Sequence, residues 1–245
     1  MRRLLSFSVM FSVMALVLGF VATPIASAQQ SVSFFIGGFN PRSFDGRGTD
    51  DVLFQNSAFL SSQERFQNGG SGIDMSEFHG VTFGGDYLFG LGHFFEGGLG
   101  LSFYQKTVPT LYTAFINTDG TDINQDLKLR IIPLTATVRF LPLGHHSPVQ
   151  PYVGAGVGVF LWRYSETGQF LDTNNVVFIG NFTGSGAEVG PVVLGGARFG
   201  LGPATAGFEF RWQSARPTLP SDQGFAGPKI DLGGFNYLFT VGFRF

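Results

Sequence analysis

Two short segments of the sequence hold residue types that could do chemistry. His145, His146 and Ser147 offer a base and a nucleophile, which a catalytic pair must hold within hydrogen-bond reach of each other. Oxygen-bearing side chains cluster in 117–124, at a spacing loosely similar to a calcium loop. That segment lacks the bidentate Glu at the twelfth loop position, and its Asp-Gly and Asn are ordinary turn residues. We therefore predict no catalytic residue, no metal site and no cofactor.

A third group consists of charged residues that alternate with apolar neighbours. In an extended strand such a residue faces the side opposite its neighbours. The group contains three acids and four bases: Asp86, Glu96, Arg139, Arg198, Glu209, Arg211 and Arg244. Their near balance predicts paired charges inside a closed structure, where removal of one partner leaves a buried, unpaired charge. Two interpretations stay open: the network fills and stabilises the interior, or it is a gate whose pairs rearrange to open a narrow pore.

The composition narrows the class of protein. Only 13% of the 245 residues are charged and 44% are hydrophobic, with 36 Gly and 30 Phe. A soluble domain has about 25% charged residues, so a packed or lipid-embedded β protein is favoured over a soluble enzyme. The net charge of −2 argues against nucleic acid as a partner. The absence of Cys excludes disulfides and thiolate sites.

The N-terminus has the pattern of a secretory signal peptide. Arg2 and Arg3 precede an apolar run over 4–21, and Ala26 and Ala28 form a small-x-small cleavage site. A retained membrane anchor is the alternative, because the run is almost long enough to span a bilayer. We predict cleavage after Ala28, which divides the chain into a signal peptide, 1–28, and one barrel domain, 29–245.

Alternation at a period of two recurs along the rest of the chain. At its end, Phe235, Tyr237 and Phe239 share one face, whereas Asn236 and Thr240 share the other. No later apolar stretch reaches the length of a membrane helix. Eight candidate strands follow this rule: 31–39, 80–89, 94–105, 127–141, 152–164, 189–201, 205–213 and 235–245. The fold class predicted is all-β, an eight-stranded antiparallel up-and-down transmembrane β-barrel.

The connections between these strands alternate in length. Links near Leu91, over 143–150 and near Gly202 are short. The four others are long: 40–79, 106–126, 165–188 and 213–231. Long extracellular loops and short periplasmic turns are typical of an outer-membrane barrel. We therefore predict four long extracellular loops, three short periplasmic turns and an integral position in a bacterial outer membrane. The long links are acidic, which either gathers cations or keeps the loops solvated.

The direction in which each face points follows from size and charge. Eight strands enclose only a narrow interior, too small for all the aromatic side chains, so the aromatic face is predicted to point outward into lipid. A soluble periplasmic barrel is the structural alternative, because it has the same period. One strand changes its pattern around Pro133. Either a β-bulge there shifts the facing by one residue, or Lys128 and Arg130 stand above the hydrocarbon region.

The C-terminal strand carries a resemblance to a known family. Its alternating residues are Tyr237, Phe239, Val241, Phe243 and Phe245. This ending resembles the signal that small OmpA-like and OmpW-like outer-membrane barrels of Gram-negative bacteria present to the barrel-assembly machinery. The strand that begins Pro151-Tyr152-Val153-Gly154 is also similar to one common in that family. The resemblance implies a cell-envelope protein that contacts this machinery during insertion, outer-membrane lipids and lipopolysaccharide.

The function predicted is a structural or surface-interaction role for a mostly plugged barrel with an unknown extracellular ligand. The alternative is a narrow porin-like channel for small or hydrophobic solutes. An enzyme that modifies lipid A is not expected, because the link that contains His145 and Ser147 lies on the periplasmic side, away from the outer leaflet.

Overall fold

The computed structural model describes residues 30–245, so the predicted signal peptide and its cleavage residues Ala26 and Ala28 lie outside the described residues. Nine strands occur in the described part: β1 (Gln30–Pro41), β2 (Leu60–Ser62), β3 (Gly80–Gly90), β4 (Phe95–Ile116), β5 (Asp122–Phe140), β6 (Val149–Leu171), β7 (Val177–Leu201), β8 (Ala204–Gln213) and β9 (Gly234–Arg244). None of the helices over 30–245 is both long and apolar enough to cross a membrane.

Eight of the strands form a closed antiparallel ring. From β3 to β9 each strand pairs with the next, and β1 pairs with both β3 and β9. The closing ladder runs from Ser31 opposite Arg244 to Pro41 opposite Gly234. The short β2 lies outside this ring order and pairs with β4 at Thr110, Leu111 and Tyr112. The predicted eight-stranded up-and-down barrel is therefore confirmed.

The connections differ from the prediction in two places. Short turns over 91–94, 141–148 and 202–203 lie at one end of the ring, together with Gln30 and Phe245. At the other end, the loops 42–79 and 214–233 are long. The predicted loops 106–126 and 165–188 are instead mostly strand, closed by turns over 117–121 and 172–176. The sequence pattern did not identify these segments as strands, because their polar side chains point outward. In the segments predicted as strands, the polar side chains point inward.

The half of the barrel nearer the short turns, which we call the belted half, has an apolar outer wall. Its outward side chains are exposed and include Phe34, Ile36, Phe83, Leu99, Leu101, Leu134, Val138, Val153, Val157, Val193, Phe208, Phe210, Phe239 and Val241. On β6 this run extends from Val153 to Leu161, nine residues, which is the length of a tilted strand that crosses a bilayer. The prediction that the aromatic face points outward is correct for this half.

The half nearer the long loops, which we call the capped half, has the reverse arrangement. The inward residues of β5 here, Leu127, Leu129 and Ile131, are fully buried in an apolar core. Trp162 and Tyr164 of β6 belong to the same core. A polar outer wall with an apolar interior is the arrangement of a water-soluble protein.

The register of β5 decides between the two interpretations of Pro133. Its pairing with β6 continues without a shift from Gln125 opposite Gly168 to Phe140 opposite Val153, and Pro133 faces Phe160 inside the barrel. The bulge predicted there is therefore wrong. Lys128 and Arg130 point outward at a level beyond the apolar belt, as the alternative interpretation required.

Loops 42–79 and 214–233 complete the capped half. Strands β4 to β7 extend much farther on this side than β1, β3, β8 and β9, so they form a half-wall that the two loops close. Helix α1 (Val52–Asn56) is capped by the carboxylate of Asp51, and helix α2 (Gln63–Gln67) by the hydroxyl of Ser62. Asp51 also accepts a hydrogen bond from the backbone N–H of Asp231, which ties the two loops together.

Candidate functional site in the barrel interior

The structure brings six of the seven charged residues singled out in the sequence into one buried network inside the belted half. Each lies on the inward face of its strand, as the period of two predicts. The six come from five different strands and carry three negative and three positive charges: Asp86 on β3, Glu96 on β4, Arg139 on β5, Arg198 on β7, and Glu209 and Arg211 on β8. Their ion pairs therefore cross the interior instead of following one ladder.

Asp86 is the centre of the network. Its Oδ2 atom accepts hydrogen bonds from Nη2 of Arg139 at 2.7 Å and from Nη2 of Arg211 at 2.9 Å. Arg139 on β5 and Arg211 on β8 are separated in the ring by β6 and β7, so Asp86 on β3 connects strands that do not pair with each other. Two guanidinium groups on one carboxylate offset the cost of removing that charge from water.

Glu209 forms the second connection across the interior. Its Oε1 accepts from Nε of Arg211 at 2.8 Å, and its Oε2 accepts from the hydroxyl of Tyr152 at 3.0 Å. Nη2 of Arg139 lies 3.3 Å from the same Oε2. The ring of Tyr152 also lies against Arg139 and Arg198, with each guanidinium carbon 5.2 Å from the ring centroid. Tyr152 thus contacts both signs of charge.

Glu96 and Arg198 lie nearer the short-turn end. Nη2 of Arg198 donates to Oε2 of Glu96 at 2.9 Å, and Nδ1 of His145 lies 4.0 Å from that oxygen. Arg244, the seventh predicted residue, is only half-buried and joins no ion pair among residues 30–245. Its Nη2 instead donates to Oε1 of Gln150 at 2.7 Å.

Glycines give the network its room. A Cβ atom at Gly100 would lie 2.3 Å from Oδ1 of Asp86, and one at Gly196 would lie 2.7 Å from the hydroxyl of Tyr152. Both distances are far below van der Waals contact, so a larger residue at either position displaces a charged or hydrogen-bonded group. A Cβ atom at Gly154 would lie 3.1 Å from Cγ of Arg139.

Sequence reasoning missed the neutral members of the site. Tyr152, Gln150 and His145 all line the interior, and each contacts one of the charged residues. Strand parity contained a signal for Tyr152, because it shares a face with Gly154 and Gly156. No signal of this kind existed for His145, which lies in a turn.

The two segments considered for chemistry lie at turns of the structure. Nε2 of His145 lies 3.1 Å from the carbonyl oxygen of Phe95, and His146 stacks on His93 with ring centroids 6.0 Å apart. Segment 117–124 covers the turn between β4 and β5, where Asn117 donates to Thr121, and the first residues of β5. Across residues 30–245 there is no group of three His, Asp or Glu side chains arranged to hold a metal ion.

The residues of the predicted assembly signal lie together on β9 and at its end. Four side chains of Tyr237, Phe239, Val241 and Phe243 point outward and are exposed, and so is Phe245 at the chain end. Phe245 is held by backbone hydrogen bonds to Gln30 in both directions. These residues form part of the apolar belt, and their role in assembly stays a prediction.

The core of the capped half lies inside the barrel above the network. Phe160, Trp162 and Tyr164 extend inward from β6 and pack against apolar side chains of both long loops. Glu166 follows them and accepts hydrogen bonds at Oε1 from Nδ2 of Asn56, at 2.7 Å, and from the Tyr164 hydroxyl, at 2.8 Å. Burial raises the pKa of Glu166, and these two hydrogen bonds oppose that rise.

Comparison with known proteins was made at the levels of sequence and structure. No protein-family model matches the chain, and no curated protein matches it. Among solved structures it resembles Ail, the attachment invasion locus protein of Yersinia pestis, at 12% identity and a TM-score of 0.40, over 89% of this chain and 99% of that one. Neisserial surface protein A matches at 14% identity and a TM-score of 0.44, with the same two coverages.

A third solved structure is the outer membrane protein AlkL, at 14% identity and a TM-score of 0.38, over 91% of this chain and 93% of that one. All three are small outer-membrane β-barrel proteins. Identities this low carry no information about a ligand or an activity.

Proposed function

We propose that this protein is a non-enzymatic, integral outer-membrane barrel with a closed interior, whose capped half is a surface for interaction outside the cell. The observation that carries the proposal is that the interior is filled twice, by ion pairs in the belted half and by an apolar core in the capped half. A water-filled pore needs a continuous polar path, and the apolar core interrupts it. The exposed apolar belt supports insertion in lipid.

The orientation can be tested with engineered cysteines, because the chain has none of its own. Thr173→Cys places a thiol in the exposed turn after β6, and His93→Cys places one in an exposed short turn. In intact cells, a membrane-impermeant maleimide is expected to label the first variant and not the second. Labelling of neither variant, with recovery of the protein in the soluble periplasmic fraction, would contradict the proposal.

The closed interior can be tested by conductance in planar bilayers. Refolded protein labelled at Thr173→Cys allows inserted molecules to be counted, and a gel shift between boiled and unboiled samples shows that the barrel has closed. We expect no discrete openings, and none after Glu96→Gln or Glu209→Gln either, because the apolar core stays in place. Discrete openings of the unchanged interior would favour the narrow porin-like channel.

A row of basic side chains supports contact with lipopolysaccharide. Arg130 pairs with Arg163 across β5 and β6, and Lys128 points outward two residues before Arg130. These three bases line a surface cavity of about 210 Å³, just above the apolar belt, and none of them joins an ion pair in the part of the chain described. Bases at this level face the depth at which phosphate groups of outer-leaflet lipid lie.

Thermal unfolding tests this contact. In bilayers that contain lipopolysaccharide, we expect the midpoint to be higher than in phospholipid alone. The gain is expected to shrink when Lys128, Arg130 and Arg163 are all replaced by Gln. It is expected to persist in the control Lys229→Gln, an exposed base of loop 214–233 that pairs with Asp50 at the surface. An equal gain in the triple variant would remove the proposed contact.

A further inference from the structure

A cavity of about 210 Å³ opens at the tip of the capped half, between β4 to β7 and the two long loops. Its walls are aromatic, with Tyr112, Phe170 and Phe178 among them, and Phe178 is partly exposed to solvent. The floor is polar and contains Gln125 and Glu166. The volume equals about seven water molecules at 30 Å³ each. None of the residues in the proposed basic row belongs to this cavity.

Gln125 is the observation that points to a ligand. Its side chain is 3% exposed, and neither Oε1 nor Nε2 has a hydrogen-bond partner among the described residues. Buried amides are nearly always hydrogen-bonded, because a lone donor or acceptor away from water costs free energy. Gln125 lines the cavity, but each of its two polar side-chain atoms has less than 1 Å² of accessible surface in the empty protein. A group that enters the cavity therefore reaches the amide when the side chain turns toward it, and then supplies the partner that the amide lacks.

The chemistry of the walls and floor restricts what that partner is. Sugar hydroxyl groups both donate and accept, so two neighbouring hydroxyls satisfy the two ends of an amide such as Gln125. The C–H face of a pyranose ring carries positive hydrogens, which the negative faces of Phe170 and Phe178 attract. Among the described lining residues there is one acid, Glu166, and no Lys or Arg, so an anionic sugar finds no counter-charge.

We propose that the tip cavity binds one neutral pyranose, such as the terminal sugar of a surface glycan. Gln125 contacts a pair of hydroxyl groups, and the aromatic walls stack on the ring. This assignment deepens the proposed function, because it rests on the placement of the capped half outside the cell.

The test uses the full mature chain in phospholipid nanodiscs, since many detergents carry sugar headgroups. Saturation-transfer NMR with methyl glucoside, methyl galactoside and methyl mannoside measures transfer to the ring C–H protons. We expect transfer to at least one of them. The signal is expected to fall at least tenfold in Gln125→Leu, which keeps the size and removes both hydrogen-bonding atoms. Gln67→Leu, on the exposed face of α2, is the matched control.

The gel shift and the emission of Trp162 show whether Gln125→Leu keeps its fold. If that variant misfolds, Phe178→Leu, at the partly exposed wall, replaces it with the same expected loss. Absence of transfer from every pyranoside, or transfer that is unchanged in both variants, overturns the proposal. Binding of n-octanol in place of the sugars does so as well, and assigns the cavity to apolar solutes.

The cysteine-labelling experiment distinguishes this failure from failure of the proposed function. Labelling at Thr173→Cys without sugar binding leaves the outer-membrane surface role in place and removes only the sugar. Sugar binding without labelling of Thr173→Cys in intact cells would mean that the tip does not face the outside of the cell, which contradicts the proposed function and leaves the sugar site in place.

Discussion

Strand β5 passes through both halves of the barrel and reverses its chemistry between them. In the belted half it turns Thr135, Thr137 and Arg139 inward and Leu134 outward. In the capped half it turns Leu129 inward and basic residues outward. In both halves the odd-numbered side chains of β5 point inward and the even-numbered side chains point outward. In the membrane position proposed above, the outer wall faces lipid in the belted half and water in the capped half.

This difference shows that the medium outside the wall determines which face of a strand is apolar, and that closure into a barrel does not. In the proposed position the outer wall of the belted half meets hydrocarbon, and the narrow interior can hold charge only as a paired network. In the capped half the outer wall meets water, so burial of apolar side chains inside supplies the stability. The basic residues that follow the belt on β5 and β6 mark the level at which the apolar side chains change from the outer wall to the interior.

The largest expected effect comes from breaking the network of the belted half. Arg139→Met leaves Asp86 and Glu209 without one of their cationic partners, and removal of one member of a buried pair costs about 3–5 kcal/mol. Arg130→Met on the same strand removes an outward, partly exposed base that joins no ion pair among residues 30–245, and we expect it to change stability by no more than about 0.5 kcal/mol. Urea unfolding in lipid vesicles, followed by the gel shift, measures both.

A double variant tests whether the loss of stability in Arg139→Met comes from unpaired charge. Adding Asp86→Asn to Arg139→Met removes a carboxylate that has lost a partner, so part of the stability is expected to return. If the double variant is as unstable as the sum of the two single variants, the loss comes from packing and not from unpaired charge.

The second-largest effect is expected from a cavity introduced by substitution into the core of the capped half. Leu129→Ala removes a fully buried side chain and is expected to destabilise the capped half by about 2–5 kcal/mol. Leu134→Ala, five residues along on the lipid side, leaves no cavity, because lipid chains fill the space. Emission of Trp162, in a Trp212→Phe background, reports the core, since the chain has two Trp. Equal shifts of that emission in both variants would contradict the division into halves.

Introducing a charge on the outer wall tests the position of the boundary. Val157→Arg puts a guanidinium near the middle of the belt and is expected to cost about 2–4 kcal/mol. Thr167→Arg, on the same outward face of β6 but in the capped half, is expected to change stability by no more than about 0.5 kcal/mol. The yield of gel-shifted, folded barrel in lipid vesicles compares them. A comparable loss for Thr167→Arg would extend the membrane region to that level.

The sequence predicted the belted half well, because there the alternation has one meaning over eight strands. The network residues Asp86 and Glu209 follow from parity alone, although their partners do not, since a pattern along one strand carries no information on contacts across the barrel. The capped half was taken for loops. Its outward residues are polar, so β4 and β5 beyond Gln105 and before Leu127 did not resemble membrane strands. Gln125, in that segment, could not be recognised as buried.

The smallest expected effect concerns one carboxyl of the capped half. Burial raises the pKa of Glu166 in the folded state, so ionisation costs more free energy when the protein is folded than when it is unfolded. This group therefore favours folding at low pH, and stability is lost as pH rises from the ordinary value of about 4.3 through the raised pKa.

Glu166→Gln cannot ionise, but its Oε1 can still accept from Asn56 and Tyr164. The variant is therefore expected to be more stable than the unchanged protein at pH 8, with the difference disappearing at pH 4. Urea titrations followed by Trp162 emission measure this difference, and Glu64→Gln on the exposed side of α2 is the control. A gain of the same size at both pH values would mean that the amide packs better, and that the charge of Glu166 does not limit the stability of the capped half. A gain confined to high pH would mean that the water-facing half, unlike the belted half, keeps an acid without a cationic partner inside its core, next to the cavity at its tip.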